Sequence, residues 1–326
     1  MAATSAAELE RLAPALEGTT PSRRMLVVVN PYATTVSDRL RHLVVYALQG
    51  RYSVEAVDTR RRGHATELAR EAARDGADVV VAFGGDGTVN EAANGLAGTG
   101  VPLSCLPGGS ANVFCRMLGI PTDVVDATEH LLGLADGWHP RAVDLGVVNG
   151  RRFCFASGVG LDASVVERVD ANPRAKARWR EYYFATTAVG TFMRHYAWGA
   201  PRLEVEVDGR RLEGVTAVVQ NAAPFTYFKG RPIDLAPDAA LDSGTLAAGV
   251  LRRATALDVP TVGFRALSKR AEVARHRQVD TFATPHEFTV RPTGEDPLPI
   301  QVDGDYIGHV GEAVYRVEPG ALRVIS

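Results

Sequence analysis

Residues 79–94 read VVVAFGGDGTVNEAAN. An apolar run, Val79–Phe83, breaks into Gly84-Gly85-Asp86-Gly87 and then resumes with helix-forming residues. A short, continuously apolar run is how a strand buried on both faces reads, and glycine at its end permits positive φ and close backbone approach. A strand, a glycine loop and a helix in that order belong at the carboxyl edge of an open parallel sheet. There, free N–H groups at helix N-termini favour anions. Asp86 is the anomaly in such a loop. A carboxylate repels bare phosphate but accommodates phosphate that carries Mg²⁺ or an ordered water network. Thr88 and Glu91 also have the spacing of a capping box, which accounts for both side chains without any ligand.

Working outward, the same pattern repeats. MLVVVN, from Met25, reads as a buried strand, and VSDRLRHLVVYALQ places Val36, Leu40, Leu43, Val44 and Ala47 on one helical face. YSVEAV with HATELAREAARDG, and PLSCLP with ANVFCRMLG, complete further strand–helix cycles. The expectation is an α/β fold: a tail over 1–24, then an N-terminal, three-layer parallel-sheet nucleotide-binding domain over 25–140. From about Asp144 the texture changes to alternating runs such as RLEVEVDG, GVTAVVQN and HEFTVRP, separated by Gly, Pro and Asp turns. That pattern predicts an antiparallel β-sandwich domain over 141–326, with one helical insertion at 173–199.

At 326 residues the chain is long enough for two domains. Its 36 basic and 38 acidic residues nearly cancel, so nucleic acid is not an expected partner. Cys105, Cys115 and Cys154 sit in apolar runs without metal-ligand spacing, as small buried hydrophobes in a reducing compartment do. The first residues lack the charged and apolar regions of a secretory signal, and no apolar stretch is long enough to span a bilayer. A cytoplasmic protein that visits a membrane surface is expected.

Three loops qualify as phosphate cradles: NPYATT after the first strand, GGDGTVNE after the third and LPGGSAN after the fourth. No Walker-A sequence occurs. SGVGLDA offers G-x-G-x-x-A, but in the second domain, where Gly158 and Gly160 read as a tight strand connection or bulge. TRRRGH at 59–64 is a basic turn, read either as a solvated helix start or as a triphosphate attractor. On composition alone, the DGD of QVDGD is a turn between strands.

Gly84-Gly85-Asp86-Gly87-Thr88-Val89-Asn90-Glu91 resembles the signature of the diacylglycerol kinase catalytic family, which includes bacterial lipid kinases and sphingosine kinases. NPYATT, LPGGSANVF, FASGVGLDA, NAAPF, APDAALDSG and QVDGD are similar to further family motifs, in family order. The resemblance implies transfer of the ATP γ-phosphate to a lipid hydroxyl, diacylglycerol-like or sphingoid, at a membrane surface. It implies ATP and Mg²⁺ as cofactors and a place in phospholipid biosynthesis, and leaves room for a homodimer. Carried onto this sequence, the nucleotide-binding set is Asn30, Thr59, Gly84, Gly85, Asp86, Gly87, Thr88, Glu91, Gly108, Gly109, Ser110 and Asn112. The metal and water network falls to Asp86, Asp144 and Asp242. Asp303 matches the general base, and Asp305 stands where the family commonly has glutamate.

The sequence departs from the family at several of these points. NPYATT lacks a glycine, Val113 replaces an acid, and Ser243 stands at the second of two acids in ALDSG. Between 173 and 199, Trp179, Tyr182, Tyr183, Phe184, Phe192, Tyr196 and Trp198 interleave with Lys176, Arg178, Arg180 and Arg194. That mixture suits either a bilayer headgroup boundary or a helix packed on a sheet. The alternatives to a lipid kinase are an NAD-kinase-like phosphorylation of a soluble alcohol and a non-catalytic nucleotide- or lipid-binding protein.

Overall fold

The computed structural model describes residues 23–170, 202–228, 231–236, 239–255, 258–267 and 272–326. The expected aromatic insertion at 173–199 and almost all of the tail over 1–24 lie outside them. Two compact units divide the chain: one ends at Val143 and takes back Gly320–Ser326, and the other is Asp144–Pro319.

The first unit alternates β1 (Arg24–Val29), α1 (Asp38–Gln49), β2 (Ser53–Asp58), α2 (His64–Arg74), β3 (Val79–Gly84), α3 (Asp86–Leu96) and β4 (Leu103–Pro107). Two helices follow, α4 (Val113–Met117) and α5 (Val124–Gly133). The strands are parallel in the order β2-β1-β3-β4. Val27, Val28, Val29 and Val79–Phe83 are all essentially inaccessible to solvent, which is why these strands read as unbroken apolar runs. Ser37 starts α1, its hydroxyl accepting the Leu40 N–H at 3.3 Å. Helix α1 packs against α5, and α2 against α3. Right-handed crossovers put these pairs on opposite faces of the sheet.

The chain leaves β1 for β2 on one side and returns to β3 on the other, so the strand order reverses between β1 and β3. Open α/β sheets bind ligands at such a switch point.

The second unit comprises β5 (Arg141–Val148, with its start in the first unit), β6 (Arg151–Phe153), β7 (Ala156–Gly160), α6 (Leu161–Asp170), β8 (Leu203–Val207), β9 (Arg210–Gly214), β10 (Thr216–Gln220), β11 (Thr226–Phe228), β12 (Arg231–Ile233) and β13 (Leu246–Leu251). After these come α7 (Asp258–Leu267), β14 (Val279–Thr284), β15 (Phe288–Pro292), β16 (Leu298–Val302), β17 (Asp305–Val310) and β18 (Ala313–Val324). One sheet runs β14-β13-β10-β7-β16-β17, antiparallel throughout. Strands β18, β15, β8 and β9 pair side by side in a second sheet, and β5 and β6 extend it from β18. Side chains from both sheets form one core. Phe288 lies between Phe282, edge-on at 5.2 Å, and Tyr315, stacked at 5.2 Å.

The sequence does not announce α5, α6 or α7. Helix α6 follows β7 directly, yet β7 is antiparallel to both β10 and β16, so SGVGLDA does not open a right-handed βαβ unit. The end of β18 returns to the first unit, where Val324 lies opposite Leu103 and the Ile325 N–H donates to the Leu103 carbonyl at 3.0 Å. All three cysteines are buried, and none forms a disulfide among the described residues.

Gly95 sits inside α3, where alanine ordinarily gains about 1 kcal/mol. Here a Cβ would lie 2.5 Å from the Thr66 carbonyl oxygen of α2. We therefore expect Gly95→Ala to destabilise the protein by about 1–3 kcal/mol, the cost of overpacking, read as a lower midpoint in urea unfolding.

Candidate functional site

Four of the expected segments meet along the carboxyl edge of the first unit's sheet. The Asn30 N–H continues the β1–β3 ladder by donating to Phe83 O at 2.9 Å, and the Thr59 N–H continues β1–β2 by donating to Val29 O at 2.7 Å. Across the switch point, the Asn30 carboxamide Nδ2 donates to Thr88 Oγ1 at 3.1 Å, while Asn30 Oδ1 accepts the Tyr32 N–H at 3.0 Å. Asn30 thus joins the loop after β1 to the helix after β3.

The glycines serve a backbone contact. The Gly108 N–H donates to Gly84 O at 2.8 Å. A Cβ on Gly108 would lie 2.8 Å from Gly84 Cα, and one on Gly109 2.7 Å from Gly85 Cα. No side chain fits between these loops. Asn112, in the left-handed conformation at φ 47°, closes the second loop: its Oδ1 accepts the Gly109 N–H and its Nδ2 donates to Gly109 O, both at 2.9 Å. In NPYATT, which lacks a glycine, the Thr35 N–H donates to Gly108 O at 3.1 Å and ties this loop to the second glycine loop. Ser110 is exposed at the tip.

The capping box does not form. Helix α3 begins at Asp86 with Gly85 as its N-cap, so Thr88 lies inside the first turn. Glu91 instead reaches the neighbouring helix α2, whose own N-cap, Gly63, has no side chain to offer. Glu91 Oε1 accepts the Gly63 N–H at 2.7 Å and Oε2 the Ala65 N–H at 3.2 Å, an acid at the positive end of a helix. Asp86, the first residue of α3, has its Oδ1 accepting the Phe114 N–H of α4 at 3.1 Å. Arg61 of TRRRGH is tied to Glu67 at 2.6 Å.

In the second unit, Asp303 is buried at 4% exposure and adopts φ 47°. Its carboxylate accepts three backbone N–H groups: Cys154 at 2.7 Å, Phe155 at 3.0 Å and Ala156 at 3.1 Å. Asp303 and Gly304 form a two-residue connection in which Val302 pairs with Asp305, and both have positive φ, as a type I′ turn requires. The turn reading of DGD is therefore correct as geometry. Asp305 opens β17 and is half-buried.

Asp144 is buried, its Oδ2 accepting the Gly244 N–H at 2.7 Å and its N–H donating to Leu241 O at 2.6 Å. It thereby holds the ALDSG loop, whose Asp242 is exposed and whose Ser243 hydroxyl closes the turn onto Ala240 O at 3.0 Å. Asn221, fully buried, links Asp144 to the Asp303 anchor: its Nδ2 donates to Asp144 O at 2.8 Å and to Cys154 O at 2.9 Å. The Asn221 Oδ1 finds no donor among the described residues, and a buried amide oxygen of that kind suits an ordered water or a hydrated cation. Of the expected metal residues, Asp86 belongs to the first unit, and Asp144 and Asp242 to the second. Among the described residues no group of three His, Cys, Asp or Glu side chains converges to hold a metal by itself.

Asp162 and Gln301 were not singled out by the sequence reading, although both lie in quoted motifs. The Gln301 Nε2 donates to Asp162 Oδ2 at 2.7 Å. A Cβ on Gly158 would fall 2.0 Å from that oxygen, so the SGVG glycine makes room for the carboxylate. Burial pushes the Asp162 carboxyl up to about 6, against a lowering by the Gln301 amide.

Comparison with known proteins places these geometries in a family. Residues 24–148 match the diacylglycerol kinase catalytic domain, and residues 156–326 match the "YegS C-terminal NAD kinase beta sandwich-like domain". The chain belongs to the diacylglycerol kinase catalytic-domain family. It is 28% identical to a diacylglycerol kinase of Bacillus subtilis over 80% of this chain and 82% of that one. With a diacylglycerol kinase of Staphylococcus carnosus it shares 25% identity over 88% and 90%. A crystal structure of a diacylglycerol kinase from Bacillus anthracis superposes with a TM-score of 0.71 at 25% identity, covering 94% of this chain and 98% of that one. The relatives support a kinase role in general. No helix among the described residues is long and apolar enough to cross a membrane.

Two outcomes follow from these contacts. Gly109→Ala forces the two glycine loops apart and lowers stability by about 1–3 kcal/mol, measured by denaturant unfolding. Asp162, whose carboxyl is pushed up to about 6 in the fold from 3.8, binds its proton more tightly when folded. The contribution of Asp162 to wild-type stability therefore falls as pH rises from about 4 to about 6 and is level above that, by on the order of 3 kcal/mol at roughly 1.4 kcal/mol per pH unit. Asp162→Asn lacks this slope, as pH-dependent thermal unfolding of both proteins will read.

Proposed function

We propose that this protein is an ATP- and Mg²⁺-dependent lipid kinase that transfers the γ-phosphoryl group to a lipid hydroxyl of diacylglycerol-like or sphingoid type. The observation that carries the reading is the pair of glycine loops joined backbone to backbone at the sheet's switch point, in a chain of this family. Gly84, Gly85 and Gly87 would let main chain approach phosphate at the start of α3, and Gly108 and Gly109, whose own N–H groups bond to Gly84 O and Asn112 Oδ1, hold that edge together. Asn30, Thr59, Thr88, Ser110 and Asn112 add polar groups beside them. Bound Mg²⁺-ATP supplies an electrophilic γ-phosphorus with part of its charge neutralised.

The buried Asp144 and the Asn221 oxygen, which finds no donor among the described residues, suit a hydrated cation. In the second unit Asp144 and Asn221 would hold one chiefly through water, and in the first unit Asp86 would do the same for the cation that accompanies the nucleotide, since Mg²⁺ keeps several of its waters and binds through few carboxylates. Asp242, exposed and beside Ser243 rather than a second acid, would contribute least.

Asp303 would accept the proton of the attacking hydroxyl as the new phosphorus–oxygen bond forms and the bond to the ADP leaving group breaks. Its three backbone hydrogen bonds fix the carboxylate in direction before substrate arrives. Asp305, next along the strand, would orient it or the substrate. Glu91 would act from behind, holding the Gly63 end of the basic loop. The acceptor's chemistry makes the protein a visitor to a membrane surface in the cytoplasm, in phospholipid metabolism. A homodimer would be compatible with that work.

The test is incubation with labelled ATP, Mg²⁺ and a panel of diacylglycerol, monoacylglycerol, sphingoid bases and glycolipid in mixed micelles, with NAD and other soluble alcohols alongside. We expect label in a lipid, and Asp303→Asn to lower turnover by about 10²–10⁴-fold, the range of general-base catalysis, with nucleotide affinity unchanged. Label in a soluble alcohol alone, or nucleotide binding without turnover, overturns the proposal.

A further inference from the structure

Behind the Asp303-Gly304 turn lies a partly buried polar chain that the proposed reaction does not use. Gln301, 1% exposed, spends both ends of its carboxamide: Nε2 donates to Asp162 Oδ2 at 2.7 Å, and Oε1 accepts the Gly304 N–H at 2.9 Å. A carboxylate only accepts hydrogen bonds. Asp162 therefore requires the NH₂ end of Gln301, and that choice alone turns the carbonyl end toward Gly304.

The contact bears on the turn's conformation. Asp303 at φ 47° lies in the left-handed region, which Asp tolerates in a type I′ turn but which still costs more in a residue with a Cβ than in glycine. The register of β16 against β17 also shifts between Ile300 and Gln301, just before the turn. Asp162 is itself fixed at the start of α6, its N–H donating to Thr216 Oγ1 at 3.3 Å. Gly158 leaves both groups their space: a Cβ there would lie 2.0 Å from Asp162 Oδ2 and 2.8 Å from Gln301 Nε2.

We infer that Asp162 is a positioning residue for the phosphoryl-acceptor site, acting through the Gln301 carboxamide to set the conformation of the Asp303-Gly304 turn. The inference rests on the kinase reading above for its catalytic consequence, though the hold on the turn does not. Protonation of Asp162 removes that constraint. A neutral carboxyl can donate, so the carboxamide of Gln301 is no longer obliged to face it with NH₂, and once reversed it presents NH₂ to the Gly304 N–H, donor against donor.

Helix α6 packs on β7, β10, β16 and β17. Of these strands only β17 carries titratable side chains, Asp305, Tyr306 and His309, while Glu167 and Arg168 lie on α6 itself. Tyr315, buried in the core, is held above its usual range by burial and also by the Asp162 charge. Burial, rather than any of these charges, leads the upward push on Asp162.

Two variants test this, Asp162→Asn, which offers either end of an amide, and Gln301→Met, which keeps side-chain length without polar ends. If either fails to fold, the other decides. The first readout is hydrogen exchange of the Gly304 amide at neutral pH, which needs no activity. We expect its protection to fall about tenfold or more in both variants. The second is kinetic, with whichever acceptor the panel identifies. Turnover should drop about tenfold with KM for ATP within about twofold, and the double variant should lose no more than either single one. Wild-type turnover should also decline below about pH 6 in a limb that Asp162→Asn lacks. Unchanged Gly304 protection overturns the inference whatever the activity. Losses that add in the double variant, or an acid limb near pH 6 that survives unshifted in Asp162→Asn, overturn the catalytic role. A wild-type protein that phosphorylates no acceptor sinks the kinase reading instead, and Gly304 exchange then still judges the hold on the turn.

Discussion

The first unit's site depends on the contact between two glycine loops. Gly84-Gly85 and Gly108-Gly109 meet with main chain against main chain, at distances where any Cβ would intrude on a Cα. This closeness lets one hydrogen bond, Gly108 N–H to Gly84 O, register the end of β3 with the end of β4. Asn30, Thr35 and Asn112 can then tie the surrounding loops to that seam. Remove the closeness and the carboxyl edge of the sheet would be four separate loops. The acid among the glycines now has a structural explanation. Asp86 begins a helix, where a negative charge is favoured, and its side chain secures α4 beside the seam.

The second unit solves a related problem by different means. Its key carboxylate sits in a two-residue turn, a place of ordinary mobility, yet Asp303 is gripped by three consecutive main-chain N–H groups of the segment leading into β7. The same segment carries Ser157, whose hydroxyl donates to Gln301 O at 2.7 Å, and Gly158, which admits Asp162. One strand thus supports the turn along its whole inner side. Sites held to sub-ångström tolerance need such backing, because their own loop cannot supply it.

Much of this was legible in the sequence, for identifiable reasons. Unbroken apolar runs signalled a sheet covered on both faces, alternating runs signalled the sandwich, and the position of GGDG after a strand located the edge where the loops gather. What escaped depended on contacts between distant residues. Thr88 and Glu91 had local spacing for a capping box, but Glu91 found a better partner in the uncapped end of α2, brought near by sheet topology. Gly158 looked like a turn glycine, because nothing local shows that a carboxylate and a carboxamide will arrive from Asp162 and Gln301. Helices α5, α6 and α7 were missed because neighbouring loop and strand signals masked their periodicity.

The return of β18 to the first unit concerns synthesis rather than chemistry. Strand β4 has β3 on one side and the stretch near Val324 on the other. As the chain emerges from the ribosome, the whole of the second unit must be made before that last partner exists. For this interval the apolar β4 presents an open parallel edge, which is the kind of surface that other chains can pair with. The first unit's sheet would thus be completed only after the whole of the second unit has been made.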